Sequence, residues 1–545
     1  VAGGRPAQKW AAVLPESGYR FTDARAITQR RGNFEKKRSG HRARGRHSHA
    51  FGSCVLAGAS GAAHVVRVGA AMTEPRAGSG FVGWLPYIVA ATFFMEYLDT
   101  TVIATALPQM ARSFGVGPNS ISLGMTAYML ALAIFIPVSG WVADRCGSRT
   151  VFFSAIGVFT VASVLCAMSQ NVTEFTAARL LQGIGGAMMV PVGRLIVVRS
   201  TEKSRLMQAI STITWPAIAA PVVGPPVGGF ITTYANWRWI FLLNVPVGIA
   251  VMAVVVALVP NLRGSERRPL DLVGLALSGA TLTAILYGAE LASQAGENPW
   301  IAAAFVLGGL VLGYVAFRHA QRHPHPLIDV STLKIPTFSV TVVTGSFTRI
   351  GLGAVPYLMP LLFQIGFGMS AFKSGLLLLA SAAGNLGMKA LTTPILQRFG
   401  FRLVSIVDIL VGGVFTIACG LLTPESPLAW ILIVAFVYGV ARSMQFSTLA
   451  TLAYADVAPQ QMSGASTLWS AAAQMTVGLG IAFGAVALRG AAAFNGETSG
   501  HVFTLEDFRI AFLLSGLLTL ASIWGYWQLA HDAGQSVGGG SRRAS

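Results

Sequence analysis

Glu96 and Asp99 stand three residues apart in an otherwise apolar run, so a helix would place both carboxyl groups on one face. An ionised group at the centre of a bilayer is unfavourable by at least about 2.5–3.5 kcal/mol, and a carboxyl group escapes much of that penalty by taking a proton. The pair is therefore suited to picking up and releasing protons. Arg179 lies in a later apolar run with no acidic neighbour inside it. Guanidinium keeps its proton in proteins, so Arg179 must find a partner or water. A span-1 carboxylate is the expected partner; snorkelling to the near interface is the alternative.

Other charged and aromatic residues fall in similar runs. Arg349, Asp408 and Arg442 lie in the second half of the chain and Glu290 in the middle. Intramembrane charges are functional candidates by default: the two arginines could line a cavity and attract an anion, or pair with Asp408 and stay structural. Phe93, Phe94, Tyr97 and Tyr128 could offer apolar and cation–π contacts to a flat organic molecule, or could simply pack. His319, His323 and His325 alternate with prolines in a tract that reads as a basic linker, and no metal is expected there. Cys54, Cys146, Cys166 and Cys419 share no CxxC spacing, so neither a disulfide framework nor a metal site is supported. No G-x-x-x-x-G-K-[ST] phosphate loop occurs. Any work done by this chain must draw on a gradient.

The elements that position these residues are membrane spans. Hydrophobic residues make up 53% of the chain and charged residues 11%, with mean hydropathy +0.62. A soluble domain carries about a quarter charged residues, so a soluble reading fails. A span needs roughly 20 apolar residues, and about fourteen such stretches run from 83–107 to 508–529. The expected fold is an all-α polytopic bundle. Residues 1–71 hold thirteen Lys and Arg against three Asp and Glu, with little apolar periodicity. Such composition cannot bury enough surface to order itself, and translation is expected to begin at Met72. The net charge of +18 thus does not argue for nucleic-acid binding.

Counted from an inside amino terminus, one set of loops holds Arg145, Arg149, Arg199, Lys203, Arg205, Arg263, Arg267, Arg268, Arg318, Arg322, Lys334, Arg398 and Arg402. The alternate loops hold only Arg112, Arg238, Lys373, Arg489 and Arg509. Positive-inside counting then puts both termini in the cytoplasm. The chain also repeats: Arg145-x-Gly147-x-Arg149 recurs as Arg398-x-Gly400-x-Arg402, with Gln397 in place of Asp144. Related halves with a site between them are a known architecture for carriers. The expected organisation is a basic extension and leader at 1–80, a six-helix half at 81–260, a linker with two inserted helices at 261–336, a second six-helix half at 337–530, and a tail at 531–545.

Several motifs in order resemble the major facilitator superfamily, specifically its fourteen-span drug:proton antiporter branch. Leu98-Asp99-Thr100-Thr101-Val102 through Pro108 is similar to the branch's span-1 motif, and Gly140 through Arg149 to the superfamily's loop 2–3 motif. Arg179-Leu180-Leu181-Gln182-Gly183 resembles the span-4 motif, and Pro221-Val222-Val223-Gly224-Pro225-Pro226-Val227-Gly228-Gly229 the antiporter motif of span 5. In the second half, Arg349 through Pro356 and Arg442-Ser443-Met444-Gln445-Phe446 are similar to one multidrug subgroup.

The resemblance implies a proton-coupled exporter of small amphipathic molecules in a bacterial plasma membrane. It would be monomeric, with no cofactor beyond the proton gradient, and accessory efflux proteins could assist it. Asp99, Glu96 and Arg179 would couple protons, Glu96 standing where the family has Gln. Gly140, Asp144, Arg145, Gly147 and Arg149 would form a gating loop, the two glycines allowing close approach and a tight turn. Pro221, Gly224, Pro225, Gly228 and Gly229 would make a bent, tightly packed seal. Phe93, Tyr97, Tyr128, Arg349, Asp408 and Arg442 are the substrate-cavity candidates. Two other readings remain open: export of an anionic metabolite or metal chelate, and a membrane sensor that transports nothing.

Overall fold

A computed structural model describes residues 84–202, 205–263, 269–294, 298–458, 461–496, 503–530 and 533. The expectations for the leader, for Met72, for Lys203, Arg267 and Arg268, and for nearly all of the tail lie outside the described residues. Fourteen helices among those described are long and apolar enough to cross a membrane. In chain order they are α1 (Leu85–Phe114), α2 (Pro118–Cys146), α3 (Ser148–Met168), α4 (Val172–Ser200), α5 (Gln208–Tyr234), α6 (Arg238–Leu258) and α7 (Leu272–Ser293). Then follow α8 (Pro299–Arg322), α9 (Pro336–Gly366), α10 (Ala371–Phe399), α11 (Phe401–Gly420), α12 (Leu428–Ala455), α13 (Gly464–Phe494) and α14 (Leu505–Trp527). The protein is an all-α multi-pass membrane protein. Helix α8 shows what its solvent is: it buries only Ala302 and Gly309, while Leu307, Val311 and Tyr314 are exposed. An apolar surface of that extent is at home only in hydrocarbon.

The pairing of helices repeats. In the first half α1 packs on α5, α2 on α4, and α3 on α4 and α6. In the second half α9 packs on α13, α10 on α12, and α11 on α12 and α14. The two seams between the halves, α5 against α10 and α2 against α13, are likewise related by that repeat. Helices α7 and α8 form a hairpin that leans on α2 and α13 through α7. The repeated turns agree in detail, since Gly147 (φ 96°) and Gly400 (φ 76°) both hold the left-handed region that favours glycine. A Cβ on Gly147 would also strike the Asn261 side chain.

Contacts between the halves gather toward the end where α1 stops and α2 starts. Gln364 of α9 donates to the Thr105 carbonyl (3.1 Å), and the Phe372 N–H donates to Thr233 Oγ1 (3.0 Å). Phe372 also packs its ring on Phe230 and Tyr234. Asn119 is the central tie: its amide donates to the carbonyls of Ala485 (3.1 Å) and Ser293 (3.4 Å) and accepts from Tyr357 Oη at 2.7 Å. One residue thus holds α2, α7, α9 and α13 together.

At the opposite end Asp271 caps α7. Its Oδ1 accepts from Gly274 N–H (2.7 Å) and pairs with His319 Nε2 (2.9 Å), and its Oδ2 accepts from Leu327 N–H (3.2 Å). Burial opposes the charge, but these donors outweigh it and hold the Asp271 carboxyl below the usual carboxylate range. A depressed folded value means stabilisation that is present at neutral pH and lost as pH falls through it. Asp271→Ala is expected to lower apparent stability by about 0.5–2 kcal/mol at neutral pH. Melting of both proteins in detergent should show that gap closing as the pH is lowered below the usual carboxylate range.

Candidate functional site

The tightest polar cluster among the described residues lies inside the first half. Arg179, a turn into α4, places Nη1 2.5 Å from Asp99 Oδ2 of α1, both side chains essentially sealed from solvent. Gln182, one turn further along α4, donates from Nε2 to Asp99 Oδ1 (3.0 Å) and to Ser163 Oγ (2.9 Å), while its Oε1 accepts from Arg179 (2.6 Å). Asn244 of α6 donates to the same Asp99 oxygen at 3.1 Å. The guanidinium also lies 4.2 Å over the Tyr128 ring. Three donors, from Arg179, Gln182 and Asn244, thus converge on the Asp99 carboxyl. Breaking a buried pair by removing one partner typically destabilises by about 3–5 kcal/mol.

Glu96, three residues earlier on α1, is buried yet its Oε2 has no partner, and neither does the Tyr128 hydroxyl. Both flank Gly186 of α4, where a Cβ would stand 3.0 Å from Tyr128 Oη and 3.6 Å from Glu96 Cδ. Gly183 is the closer approach: a Cβ there would lie 2.6 Å from the Tyr128 carbonyl and 2.7 Å from Ala131 Cβ. Glycine at these positions lets α4 come near enough to α1 and α2 for Arg179 to reach Asp99.

The span-5 motif packs on two helices at once. Gly224 meets Thr101, and a Cβ on Gly228 would lie 2.5 Å from the Val102 carbonyl, both on α1. Gly229 instead faces Ala371 and Phe372 of α10, and Gly375 of α10 faces Pro225 and Pro226. Pro221, Pro225 and Pro226 all lie within the helix.

At the α2–α3 turn Asp144 pairs with Arg199 of α4 (3.0 Å) rather than with Arg145 or Arg149. Arg145 lies 5.3 Å over Trp141, and the Arg149 N–H donates to Asn261 Oδ1 at 3.2 Å. Ser148 N–H donates to the Leu262 carbonyl (2.8 Å), so the strap after α6 pins this turn. A Cβ on Gly140 would meet nothing within 4 Å among the described residues, so this glycine does not serve close approach.

The cavity candidates separate. Phe93 is core: a Cβ on Gly193 would touch it together with Val89 and Phe152. Tyr128 belongs to the Arg179 cluster, and Phe94 lines an outer groove with Tyr87, Trp215 and Val247. Tyr97 stays partly exposed within electrostatic reach of Arg194 of α4, which also acts on Tyr454 of α12 in the other half. Arg442 is exposed on α12. Asp408 is buried in α11 with an unpartnered Oδ2 and forms no ion pair with either arginine among the described residues. Glu290 sits beside the Asn119 tie, accepting from Ser122 and Gln294 at 3.3 Å each. The His tract is drawn to Asp271: one ligand atom each of Asp271, His319 and His323 lies within 4.8 Å of the others.

Two repeated six-helix halves, a charged cluster inside the bundle and a seam closed at one end define a membrane transporter rather than an enzyme. The chain belongs to the Major Facilitator Superfamily, whose model matches residues 89–485. It is 38% identical over 413 residues to the "Putative multidrug resistance protein MdtD" of Pectobacterium carotovorum, covering 75% of this chain and 88% of that one. The protein of the same name from Serratia proteamaculans is 38% identical over 415 residues, covering 74% and 85%. Among solved structures, a POT family peptide transporter matches with TM-score 0.61 and 14% identity over 81% of this chain and 96% of its own. A D-xylose-proton symporter matches with TM-score 0.59 and 14% identity over 83% and 99%. At such identity these structures speak for the fold alone.

Asn244, Ser163, Asn119, Arg194 and Lys389 were not singled out by sequence reasoning. The three neutral residues carry no charge to betray them, whereas the two cations lie in spans and were open to the same logic as Arg179. Asp99→Ala is expected to lower the apparent melting temperature strongly, because Arg179 is left buried without a counter-charge. Asp99→Leu combined with Arg179→Met should melt higher than Asp99→Ala in the same detergent.

Proposed function

We propose that this transporter is a proton-coupled antiporter that exports small amphipathic organic molecules by alternating access across a bacterial plasma membrane. The MdtD relatives, named for multidrug resistance, support that direction. With both termini in the cytoplasm, the end tied by Asn119 faces outward.

The observation that carries the proposal is the contrast between the two carboxyl groups of α1. Asp99 is saturated by Arg179, Gln182 and Asn244, while Glu96 keeps an oxygen with no donor. A buried carboxyl without a counter-charge is favoured in its neutral form. Glu96 therefore holds the proton in this state, and Asp99 holds Arg179. When Glu96 gives up its proton, its new charge competes for the guanidinium one helix turn away. Arg179 is rooted in α4, so that competition shifts α4 against α1 and biases which end of the bundle is closed. Substrate entering between the halves drives the same exchange. Protons and the small molecule are the only transported species, and the protein acts as a monomer that needs no cofactor.

Proteoliposomes with an imposed pH difference test this. Glu96→Gln is expected to reduce gradient-driven transport roughly tenfold or more, equivalent to about 1.4 kcal/mol in the limiting step. Substrate counterflow, which moves no net proton, should stay near wild type. Fluxes in the wild-type protein that ignore the pH difference would overturn proton coupling.

A further inference from the structure

Arg349 of α9 is a cation in the second half with no acidic partner among the described residues. Its Nε donates to the Gly345 carbonyl (3.3 Å) and its Nη2 to the Thr341 carbonyl (2.8 Å), while Nη1 is shut off from solvent and has no acceptor. Trp469 of α13 lies with its ring 5.4 Å from that guanidinium, and its Nε1–H is likewise buried without an acceptor. Buried donors are nearly always paired, because an unpaired one forfeits its hydration for nothing. Two side by side point to an acceptor that arrives from outside the chain.

The surroundings say what kind. On from Trp469 the row continues to Phe446 (6.0 Å between rings), whose side chain is 52% exposed, and to Lys389 of α10, with Nζ 5.6 Å from the Phe446 ring and 3.1 Å from Ser447 Oγ. Tyr454 flanks Trp469 at 6.1 Å and feels Arg194 of the other half. Arg349, Lys389 and Arg194 thus surround three aromatic rings. Asp408, an acidic residue of the same half inside a span, is buried on α11 and pairs with none of them among the described residues. Arg349 and Trp469 are themselves only partly buried, so their free donors sit just under the wall.

We infer that this row is the substrate's anion subsite and that the transported molecules include aromatic carboxylates. One carboxylate would accept from Arg349 Nη1 and Trp469 Nε1, and its ring would lie against Phe446 and Tyr454. The inference rests on the transporter reading above and narrows its substrate class.

Equilibrium dialysis of the full chain in nanodiscs, with no gradient present, tests it. The probes are radiolabelled 2-naphthoate, 2-naphthylmethylammonium of matching ring and opposite charge, and cyclohexanecarboxylate. Saturable binding of 2-naphthoate is expected, with each of the other two weaker by roughly tenfold. Arg349→Gln should weaken 2-naphthoate roughly tenfold or more, and Trp469→Phe, which keeps a ring and deletes the N–H, roughly threefold to tenfold. No saturable 2-naphthoate binding, equal binding of the ammonium probe, or unchanged binding in both Arg349→Gln and Trp469→Phe would overturn the anion subsite. Binding of cyclohexanecarboxylate equal to that of 2-naphthoate would overturn the aromatic preference. Since no proton moves in this assay, its failure is distinguishable from failure of proton coupling.

Discussion

A guanidinium sealed in hydrocarbon cannot shed its charge, and much of the first half is arranged around that constraint. Arg179 takes its counter-charge from Asp99, a second acceptor from Gln182 and a ring face from Tyr128. Asn244 and Ser163 then complete the remaining valences of Asp99 and Gln182. These groups come from five different helices, and they meet only because Gly183 and Gly186 let α4 lie close to its neighbours. The same cluster that satisfies the charge therefore fixes the packing of the half, and anything that disturbs the charge disturbs the packing. That coupling between ionisation and helix position is what a proton-driven machine requires.

The seams between the halves are built for a different purpose. Along α5 and α10 the backbones approach through Gly229, Gly375 and the prolines beside them, with few side chains interposed. Smooth backbone-to-backbone contact of this kind holds by dispersion and can slide. Directional bonds across the closed end are few, and Asn119 supplies two of them through one side chain. Opening that end breaks a handful of hydrogen bonds and also parts an apolar core that includes Ile103, Leu107 and Met110 of α1 and Leu358, Leu361 and Leu362 of α9.

Much of this was legible in the sequence. Span positions followed from apolar length, the repeat from Gly147 and Gly400 in matched turns, and the expectation of a span-1 carboxylate beside Arg179 from the rule that a span-buried Arg needs a partner. The choice of Asp99 over Glu96 was left to the structure. What escaped had weaker signals. A neutral Asn or Ser in a span reads as ordinary composition, yet Asn119, Asn244 and Ser163 hold the tie and the cluster. Three-dimensional choice also escaped: Asp144 selects Arg199 from the several arginines its sequence neighbourhood offers, because α4 ends beside it. Phe93 and Tyr97 are both aromatic residues of one helix, and only the position of α4 determines that one packs and the other faces Arg194.

The two halves answer the problem of buried charge in opposite ways. In the first, cation and anion are matched, and the Arg179 Nε and the Tyr128 hydroxyl stay without partners. In the second, Arg349 and Lys389 stand against backbone carbonyls, a hydroxyl and aromatic rings, and Asp408 stays apart from them. Since the halves share one fold, topology does not force this difference; the side chains make it. A matched cluster keeps its counter-charge within the protein, whereas an unmatched cation keeps an unmet demand for an anion. In the proposed cycle this separates the proton, held by Glu96 beside the first, from the molecule that is moved, held at the second.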